Sequence, residues 1–202
     1  MLKRLFDLLF ATSGLIVLMP FFFLIAFWVK LDSSGPVFYR QVRVGRFGKA
    51  FRIHKFRTMA VNSDIEGRLT VGDDRRITRS GMFLRKYKLD ELPQLIDVLL
   101  GNMSLVGPRP EVQEFIDCYP DDVMHRVLSV RPGITDRASI VMVDESETLS
   151  AYDDPRQAYI DVILPIKQKY YLEYVDKLSL KNDVLIIFET IYKVLFRRSF
   201  RN

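Results

Sequence analysis

The 202-residue chain has one cysteine, Cys118, and two histidines, His54 and His125. A single thiol excludes an internal disulfide framework, and so few sulfur and imidazole ligands argue against a Cys/His zinc site. Cys118, between helix-like segments, reads as a small core residue rather than a nucleophile. There is no internal repeat and no Pro/Gly/Ser-rich linker, so the default is one domain with appendages. Charge of one sign is in modest excess: 30 Lys and Arg against 25 Asp and Glu give a net +5 and a pI near 9.3. That admits an anionic partner without choosing one. The basic residues are dispersed among the acids and no groove-binding motif is present, which excludes nucleic acid as the reading.

Charge is missing altogether from Leu8 to Val29, and Leu15 to Val29 is almost wholly apolar. Lipid is the natural solvent for such a run. A cleaved signal peptide needs a small-x-small site, and none follows Trp28-Val29-Lys30. A plain transmembrane helix needs about 20 apolar residues and is the main rival. Two features oppose simple crossing. Pro20 lies in mid-run, where it removes a backbone hydrogen bond and favours a kink. Basic residues also flank both ends, Lys3 and Arg4 before, and Lys30, Arg40, Arg43, Arg46 and Lys49 after, which asks for both ends on the cytoplasmic face. A helix that dips into one leaflet, breaks near Pro20 and returns satisfies both; a spanning helix remains the competing geometry.

Beyond the apolar run the texture is that of a small folded domain. Pro36–Val44 and Ala50–Arg57 read as the two strands of a hairpin turning at Gly45–Gly48. The polar stretch from Asn62 to Asp74 reads as an exposed loop. Helical periodicity follows at Ser80–Lys88, Pro93–Leu100, Glu111–Tyr119 and Asp121–Ser129, then at Pro155–Lys177 with an interruption at Pro165, and at Leu180–Arg198. The last segment is rich in Leu, Ile, Phe and Tyr and ends on Arg197-Arg198-Ser199-Phe200-Arg201; it reads either as a core helix with a basic tail or as an interfacial amphipathic helix. The expected fold class is α+β, mainly helical: an amino-terminal re-entrant membrane helix over residues 1–31, broken near Pro20, then a catalytic domain over 32–202 with a small β-hairpin and interfacial amphipathic helices.

Asp90 and Glu91 sit at the start of a helix-like segment, just before Pro93. Acidic residues there commonly do no more than complement the helix dipole and cap free amides. The basic company suggests more: Arg85 lies upstream with Lys86 and Lys88, Arg109 is held between Pro108 and Pro110, and Arg131 precedes Pro132-Gly133. An arginine restrained by prolines loses little freedom on binding phosphate, and its fork can take two oxygens. A carboxylate beside such groups can hold Mg²⁺ against a pyrophosphate or attack phosphorus itself.

Several long motifs then occur in order: Lys55-Phe56-Arg57-Thr58-Met59, Leu89-Asp90-Glu91-Leu92-Pro93-Gln94-Leu95, Met103-Ser104-Leu105-Val106-Gly107-Pro108-Arg109-Pro110 and Val130-Arg131-Pro132-Gly133-Ile134-Thr135, with Tyr170-Tyr171, Ser179-Leu180, Asp183 and Thr190 near the end. With them, and with the apolar run containing Pro20, essentially the whole chain resembles the small monotopic bacterial phosphoglycosyl transferases, the sugar transferase family that starts glycan assembly on polyprenol phosphate.

The resemblance implies a two-step reaction. The aspartate matching Asp90 attacks the β-phosphate of a UDP-sugar, releases UMP and carries the phospho-sugar covalently; polyprenol (undecaprenyl) phosphate then takes it, the first membrane step in building an exopolysaccharide, capsule, O-antigen or glycoprotein glycan. Glu91 would help hold Mg²⁺ or deprotonate the acceptor. Arg85 and Arg109 would bind phosphate, Pro110 and Arg131 would belong to the substrate-binding loops, and Lys55 and Arg57 would be structural or acceptor-side contacts. Pro20 matches the family's membrane hinge, although Met19 stands where many relatives have serine. The resemblance also implies the bacterial inner membrane, with the catalytic domain on the cytoplasmic face; it leaves a homodimer open, and likens the chain to the family's minimal form. One departure is marked: many relatives follow Pro-Gly-Ile-Thr with Gly-Trp-Ala-Gln-Val-Asn-Gly-Arg, whereas this chain reads Asp136-Arg137-Ala138-Ser139-Ile140-Val141-Met142-Val143-Asp144-Glu145. Arg137 is the candidate substitute for the lost arginine, and the sugar is left unnamed. The rival from another class is a non-catalytic membrane-anchored scaffold, which gives no reason for the carboxylate pair beside a proline-locked arginine.

Overall fold

A computed structural model of the chain describes residues 1–61, 69–72 and 74–196. Most of the expected loop from Asn62 and all of the basic tail from Arg197 lie outside the described residues.

The uncharged run becomes one long helix, α1 (Leu2–Asp32), with Pro20 inside it rather than at its end. Among the described residues it is the one helix long and apolar enough to cross a membrane. Its two ends are both fastened to the rest of the protein. At the start, Asp7 accepts hydrogen bonds from Ser104 Oγ (2.9 Å) and the Leu105 amide (3.2 Å), and Lys3 pairs with Asp183 at 2.7 Å. At the finish, Asp32 accepts from the Ser80 amide and hydroxyl, both at 2.8 Å, while Arg57 donates to the Ser33 and Ser34 carbonyls. Between them, Ala11, Leu15 and Leu18 pack on Leu95, Val98 and Met103, and Phe22, Ile25 and Val29 pack on Phe56 and Leu84. The opposite face, with Leu9, Ile16, Val17, Phe23, Leu24 and Phe27, is exposed.

The expected hairpin is present but interrupted. β1 (Phe38–Tyr39) and β2 (Val42–Val44) pair antiparallel with β4 (Lys55–Phe56) and β3 (Ala50–Arg52), in the registers Phe38↔Phe56 and Val42↔Arg52. Helices α2 (Arg79–Lys86) and α3 (Gln94–Leu99) follow, joined through a tight 3-10 turn at Leu89–Glu91. The carboxylate pair is therefore in a turn of its own ahead of α3. Next come β5 (Ser104–Val106), α4 (Gln113–Ile116), α5 (Asp121–Val127) and β6 (Gly133–Thr135).

β5 and β6 pair in parallel, Ser104↔Gly133 and Val106↔Thr135, which periodicity did not reveal because each strand has only three residues. Their crossing requires glycine: a Cβ on Gly133 would lie 2.1 Å from the Gly107 nitrogen, and one on Gly107 2.5 Å from the Arg131 carbonyl oxygen. The pair brings the loop carrying Arg109 beside Asp136.

Short helices α6 (Arg137–Val141), α7 (Glu145–Leu149) and α8 (Pro155–Ala158) lead into α9 (Leu164–Asp176) and α10 (Leu180–Phe196). The interruption expected at Pro165 takes the form of a π-helical turn at Tyr159–Ile163, which runs directly into α9 with Pro165 in its first turn. The largest core cluster joins Val112, Phe115, Tyr119, Val127, Leu149, Tyr159, Ile163, Leu164 and Tyr171. On α10, Asp183 and Ile186 are buried while Leu185, Phe188, Ile191, Tyr192, Leu195 and Phe196 are exposed, so the helix is amphipathic with an unusually apolar outer face.

Candidate functional site

Asp90 and Glu91 reach the site through local geometry. Lys88 takes a left-handed conformation (φ 55°, ψ 22°) that ends α2 and turns the chain into the 3-10 segment. That turn carries both carboxylates under the lip of a cleft of about 1210 Å³ lined by residues from α2, the hairpin, the Arg109 loop and the 139–146 segment. Both are almost fully buried, Asp90 at 6% and Glu91 at 7% exposure.

Their partners differ, and so do their roles. Glu91 is saturated: Arg109 donates to it with both terminal nitrogens, one at 3.0 Å to Oε2, and Lys55 Nζ lies 2.8 Å from Oε1. Among the described residues Asp90 has only Lys55, at 3.7 Å from Oδ2, and its buried Oδ1 has no hydrogen-bond partner. Burial raises the Asp90 carboxyl, against the pull of Lys55 and with the help of the Glu91 charge. Burial would also raise Glu91, but Arg109 and Lys55 outweigh it and hold that carboxyl well below the usual range. In return Glu91 raises the Arg109 guanidinium further, while burial lowers the Lys55 ammonium despite both carboxylates. The result is one carboxylate fixed as a counter-ion and another left basic with a buried, unbonded oxygen.

Arg85 borders the same cleft. Its Nε donates to Thr58 Oγ1 (2.8 Å) and a terminal nitrogen to Thr70 Oγ1 (3.0 Å), so it is aimed by two hydroxyls and neutralised by neither. The Arg109 loop is braced from outside, since Arg43 donates to the Pro110 carbonyl at 2.9 Å. Beyond it lies a second charged group: buried Lys167 touches Tyr159 Oη (3.0 Å) and pairs with Glu145 (2.7 Å), and Tyr159 donates to Glu111 (2.7 Å).

Of the residues singled out from sequence, the structure brings Asp90, Glu91, Lys55, Arg85 and Arg109 together, with Pro110 as the Arg43 contact. Arg57 also borders the cleft, but its guanidinium is spent on the Val29, Ser33 and Ser34 carbonyls, where it closes off α1. Arg131 is not among the described residues lining the cleft; its Nε donates to the Gly101 carbonyl at 2.9 Å. Arg137 pairs with Glu189 of α10 at 3.4 Å, exposed and away from the cleft lining. Sequence reasoning missed Arg43, Glu111, Glu145, Tyr159 and Lys167, most of whose contacts join distant segments, Tyr159 to Glu111 across 48 positions and Arg43 to Pro110 across 67. It also missed the fully buried Asp97, which accepts from the His54 amide (2.7 Å) and contacts its Nδ1 (2.8 Å), tying α3 to the strand that bears Lys55.

A divalent cation was expected from sequence. No group of three or more His, Cys, Asp or Glu is placed to hold a metal among the described residues. The donor set suits Mg²⁺ bound in the hard-cation manner, by one carboxylate with the rest from water and substrate phosphate. Asp90 Oδ1, buried and unbonded, is the oxygen that fits, because the Glu91 oxygens are already taken.

Comparison with known proteins gives the chain's family and relatives. The sequence model of the bacterial sugar transferase family matches residues 1–197. The exopolysaccharide production protein PSS of Rhizobium leguminosarum bv. phaseoli is 38% identical over 208 residues, covering 97% of this chain and 96% of that protein. The UDP-N-acetylgalactosamine-undecaprenyl-phosphate N-acetylgalactosaminephosphotransferase of Aeromonas hydrophila is 39% identical over 198 residues, 96% of this chain. The UDP-glucose:undecaprenyl-phosphate glucose-1-phosphate transferase of Escherichia coli is 38% identical over the same length. This chain spans 44% and 40% of the length of those last two relatives.

Proposed function

The chain belongs to the bacterial sugar transferase family, and from that premise we propose that it transfers a sugar 1-phosphate from a UDP-sugar to polyprenol phosphate, releasing UMP, by way of a phospho-sugar carried on Asp90. The observation that carries the proposal is the asymmetry of the pair: Glu91 is bound on both oxygens, whereas Asp90 keeps a buried, unbonded Oδ1 at the cleft. A buried acceptor without a partner destabilises a fold by roughly 1–3 kcal/mol. A scaffold would have no use for it; a nucleophile must have it.

In the first half-reaction an Asp90 oxygen attacks the β-phosphorus, the bond from that phosphorus to the bridging oxygen breaks, and UMP leaves with the electron pair. In the second, a phosphate oxygen of the acceptor attacks the same phosphorus, and the Asp90 carboxylate is expelled unchanged. An anion attacking an anionic diphosphate is opposed by charge, so the site must cancel charge before it can react. Lys55 offers its ammonium between Asp90 and Glu91; Arg85 offers a guanidinium that, among the described residues, is held only by hydroxyls and can bind phosphate oxygens. Arg109 is committed to Glu91, and so acts first by fixing that carboxylate. Mg²⁺ at Asp90 would supply further neutralisation of the diphosphate.

The way α1 is fastened supports a re-entrant placement. At about 1.5 Å per residue a 31-residue helix is about 46 Å long, more than the roughly 30 Å hydrocarbon core. Asp7 and Asp32 are both bonded to the catalytic part, so a crossing would draw that part through the bilayer. Entry and exit on one face, with the apolar side of α1 in lipid and the basic flanks in the cytoplasm, avoids this. The proposed setting is the inner face of the bacterial plasma membrane.

The test is UMP release from a panel of UDP-sugars with Mg²⁺ and undecaprenyl phosphate, together with mass measurement of the protein after donor alone. The expected result is a mass increase of one sugar phosphate that maps to Asp90 and is lost in Asp90→Ala. Full activity in Asp90→Ala would refute the nucleophile; no turnover of any donor in membranes would return the scaffold reading.

A further inference from the structure

The proposed acceptor presents a problem of transport: its phosphate starts at the headgroup level and must meet Asp90 in a protein cleft, while its tail stays in lipid. One edge of the cleft has the surfaces this requires. Trp28, near the end of α1, is 40% exposed, and its ring lies 5.4 Å from that of Phe83 on α2, itself 44% exposed. The Phe83 ring is 4.8 Å from Tyr87. The three rings make a ladder running from the apolar face of α1 to the lip of the cleft, which Met82, Lys86, Tyr87 and Lys88 help to line. Amphipathic rings of this kind favour the boundary between acyl chains and water.

Cations stand where the ladder ends. Lys86 reaches over the Tyr87 ring, 5.7 Å from its centre. Lys88 follows in the left-handed region, which an L side chain occupies only at a cost and which places it at the turn into Asp90. Both lysines are exposed, and neither has a carboxylate within ion-pair distance among the described residues. The Lys88 charge nonetheless acts on both Asp90 and Glu91. Lys55, by contrast, is already engaged by Glu91.

We propose that Trp28, Phe83 and Tyr87 with Lys86 and Lys88 form the entry site for an isoprenyl phosphate: the rings seat the first isoprene units at the membrane boundary, and the two ammonium groups take the phosphate from the headgroup plane towards Asp90. The proposal rests on the transferase reading and specifies where its acceptor enters. A water-soluble nucleotide sugar has no use for an apolar ladder, and a general membrane anchor has no use for a strained lysine turned towards the buried carboxylates.

Trp28 is the only tryptophan in the chain, so its fluorescence reports on this edge alone. The full-length protein in phosphatidylcholine nanodiscs is titrated with farnesyl phosphate, farnesol and inorganic phosphate. A saturable change with farnesyl phosphate only, weakened about tenfold in the double variant Lys86→Met, Lys88→Asn, is the expected result; asparagine keeps the left-handed turn accessible without the charge. Equal responses to farnesol, or an unaltered response in the double variant, would overturn the proposal. This binding arm needs no turnover, so it stands or falls apart from the transferase reading, which is judged by the adduct on Asp90. Where the adduct forms, kinetics give a second arm: the double variant should raise the KM for undecaprenyl phosphate about tenfold and that for the UDP-sugar less than twofold. A common rise in both would mean that the lysines shape the whole cleft, and would refute an acceptor site.

Discussion

Arg109 holds Glu91 in a two-pronged ion pair, and Lys55 sits on the same carboxylate at 2.8 Å. The fork does two things at once: it fixes the wall of the cleft next to Asp90, and it keeps Glu91 ionised without leaving a free negative charge to oppose an incoming diphosphate. Lysine would preserve the charge and lose the planar geometry. Arg109→Lys should therefore fold and should lower kcat/KM for the donor by about 100-fold, or about 2.7 kcal/mol of transition-state stabilisation. Steady-state UMP release measures it, and a loss under threefold would show that charge alone suffices.

The two neighbouring carboxylates should respond oppositely in stability. Asp90 is buried with an unbonded oxygen and a raised pKa; such a group stabilises the fold below its unfolded pKa, and that contribution is lost as pH rises through the folded value. Asp90→Asn removes the charge and should abolish transfer while raising Tm at neutral pH by roughly 2–4 °C, the effect of about 1 kcal/mol in a protein of this size. Glu91 has a depressed pKa, so its contribution is present above the unfolded value and lost as pH falls. Glu91→Gln strands Arg109 and Lys55 and should cost about 3 kcal/mol, with a fall in Tm. Thermal unfolding in matched nanodiscs compares the two; a lower Tm in both would mean that Asp90 also stabilises the fold.

The same asymmetry sets the pH dependence. The proposed attack needs ionised Asp90, and burial raises its pKa, so the acid limb of kcat/KM should lie above the ordinary aspartate range near 3.9. The Lys55 charge holds that pKa down. Lys55→Met should accordingly move the acid limb to higher pH as well as lower the plateau. Donor-side kinetics from pH 4 to 8 decide it, and a limb that stays in place would separate Lys55 from the nucleophile.

The meeting of β5 and β6 is set by two glycines with no room to spare. A methyl group at Gly133 would fall 2.1 Å from the Gly107 nitrogen and 2.5 Å from its carbonyl oxygen, both backbone atoms that cannot turn aside. Gly133→Ala should push the Arg109 loop from its seat, costing about 3 kcal/mol or more and nearly all activity. Expression and thermal unfolding beside wild type check this; a stable, active variant would show that the strands can part.

Those glycines also show which parts of the molecule its sequence made legible. The long apolar helix, the hairpin and the helices near Ser80, Pro93, Asp121 and Leu180 each announce themselves by a run, a turn or a period, all local signals. The carboxylate pair and Arg109 were legible because they lie in dense, proline-marked motifs. What escaped was non-local. Strands of three residues carry no period, so the parallel pairing of Ser104 with Gly133 was invisible. Arg131 looked like a phosphate ligand because it precedes Pro132-Gly133, yet it is turned to the Gly101 carbonyl, and Arg57 is occupied with the end of α1. An arginine's neighbours in sequence say that it is held, not what it is held against. Lys167 meets Glu145 only through the fold.

The bonds at both ends of α1 lead to a test of how it sits in the membrane. Asp7 is only 2% exposed and binds Ser104 Oγ and the Leu105 amide, while Asp32 binds Ser80, so both ends are held by parts of one folded body. The proposed re-entrant placement puts that body, and with it both ends, on one side of the membrane. With Cys118 replaced by serine, cysteines introduced singly as Leu2→Cys and Ser34→Cys should both react with an impermeant thiol reagent in inverted vesicles and both be protected in right-side-out vesicles. The chemistry of the two thiols is the same, so the difference between vesicle orientations is the readout. Opposite labelling of the two positions would mean that α1 crosses, and that its bonds at one end break when it enters lipid. Asp7→Ala then adds a second reading: releasing the amino-terminal end removes two hydrogen bonds to the strand leading to Arg109, so it should lower transfer activity even where labelling shows the ends still on one face.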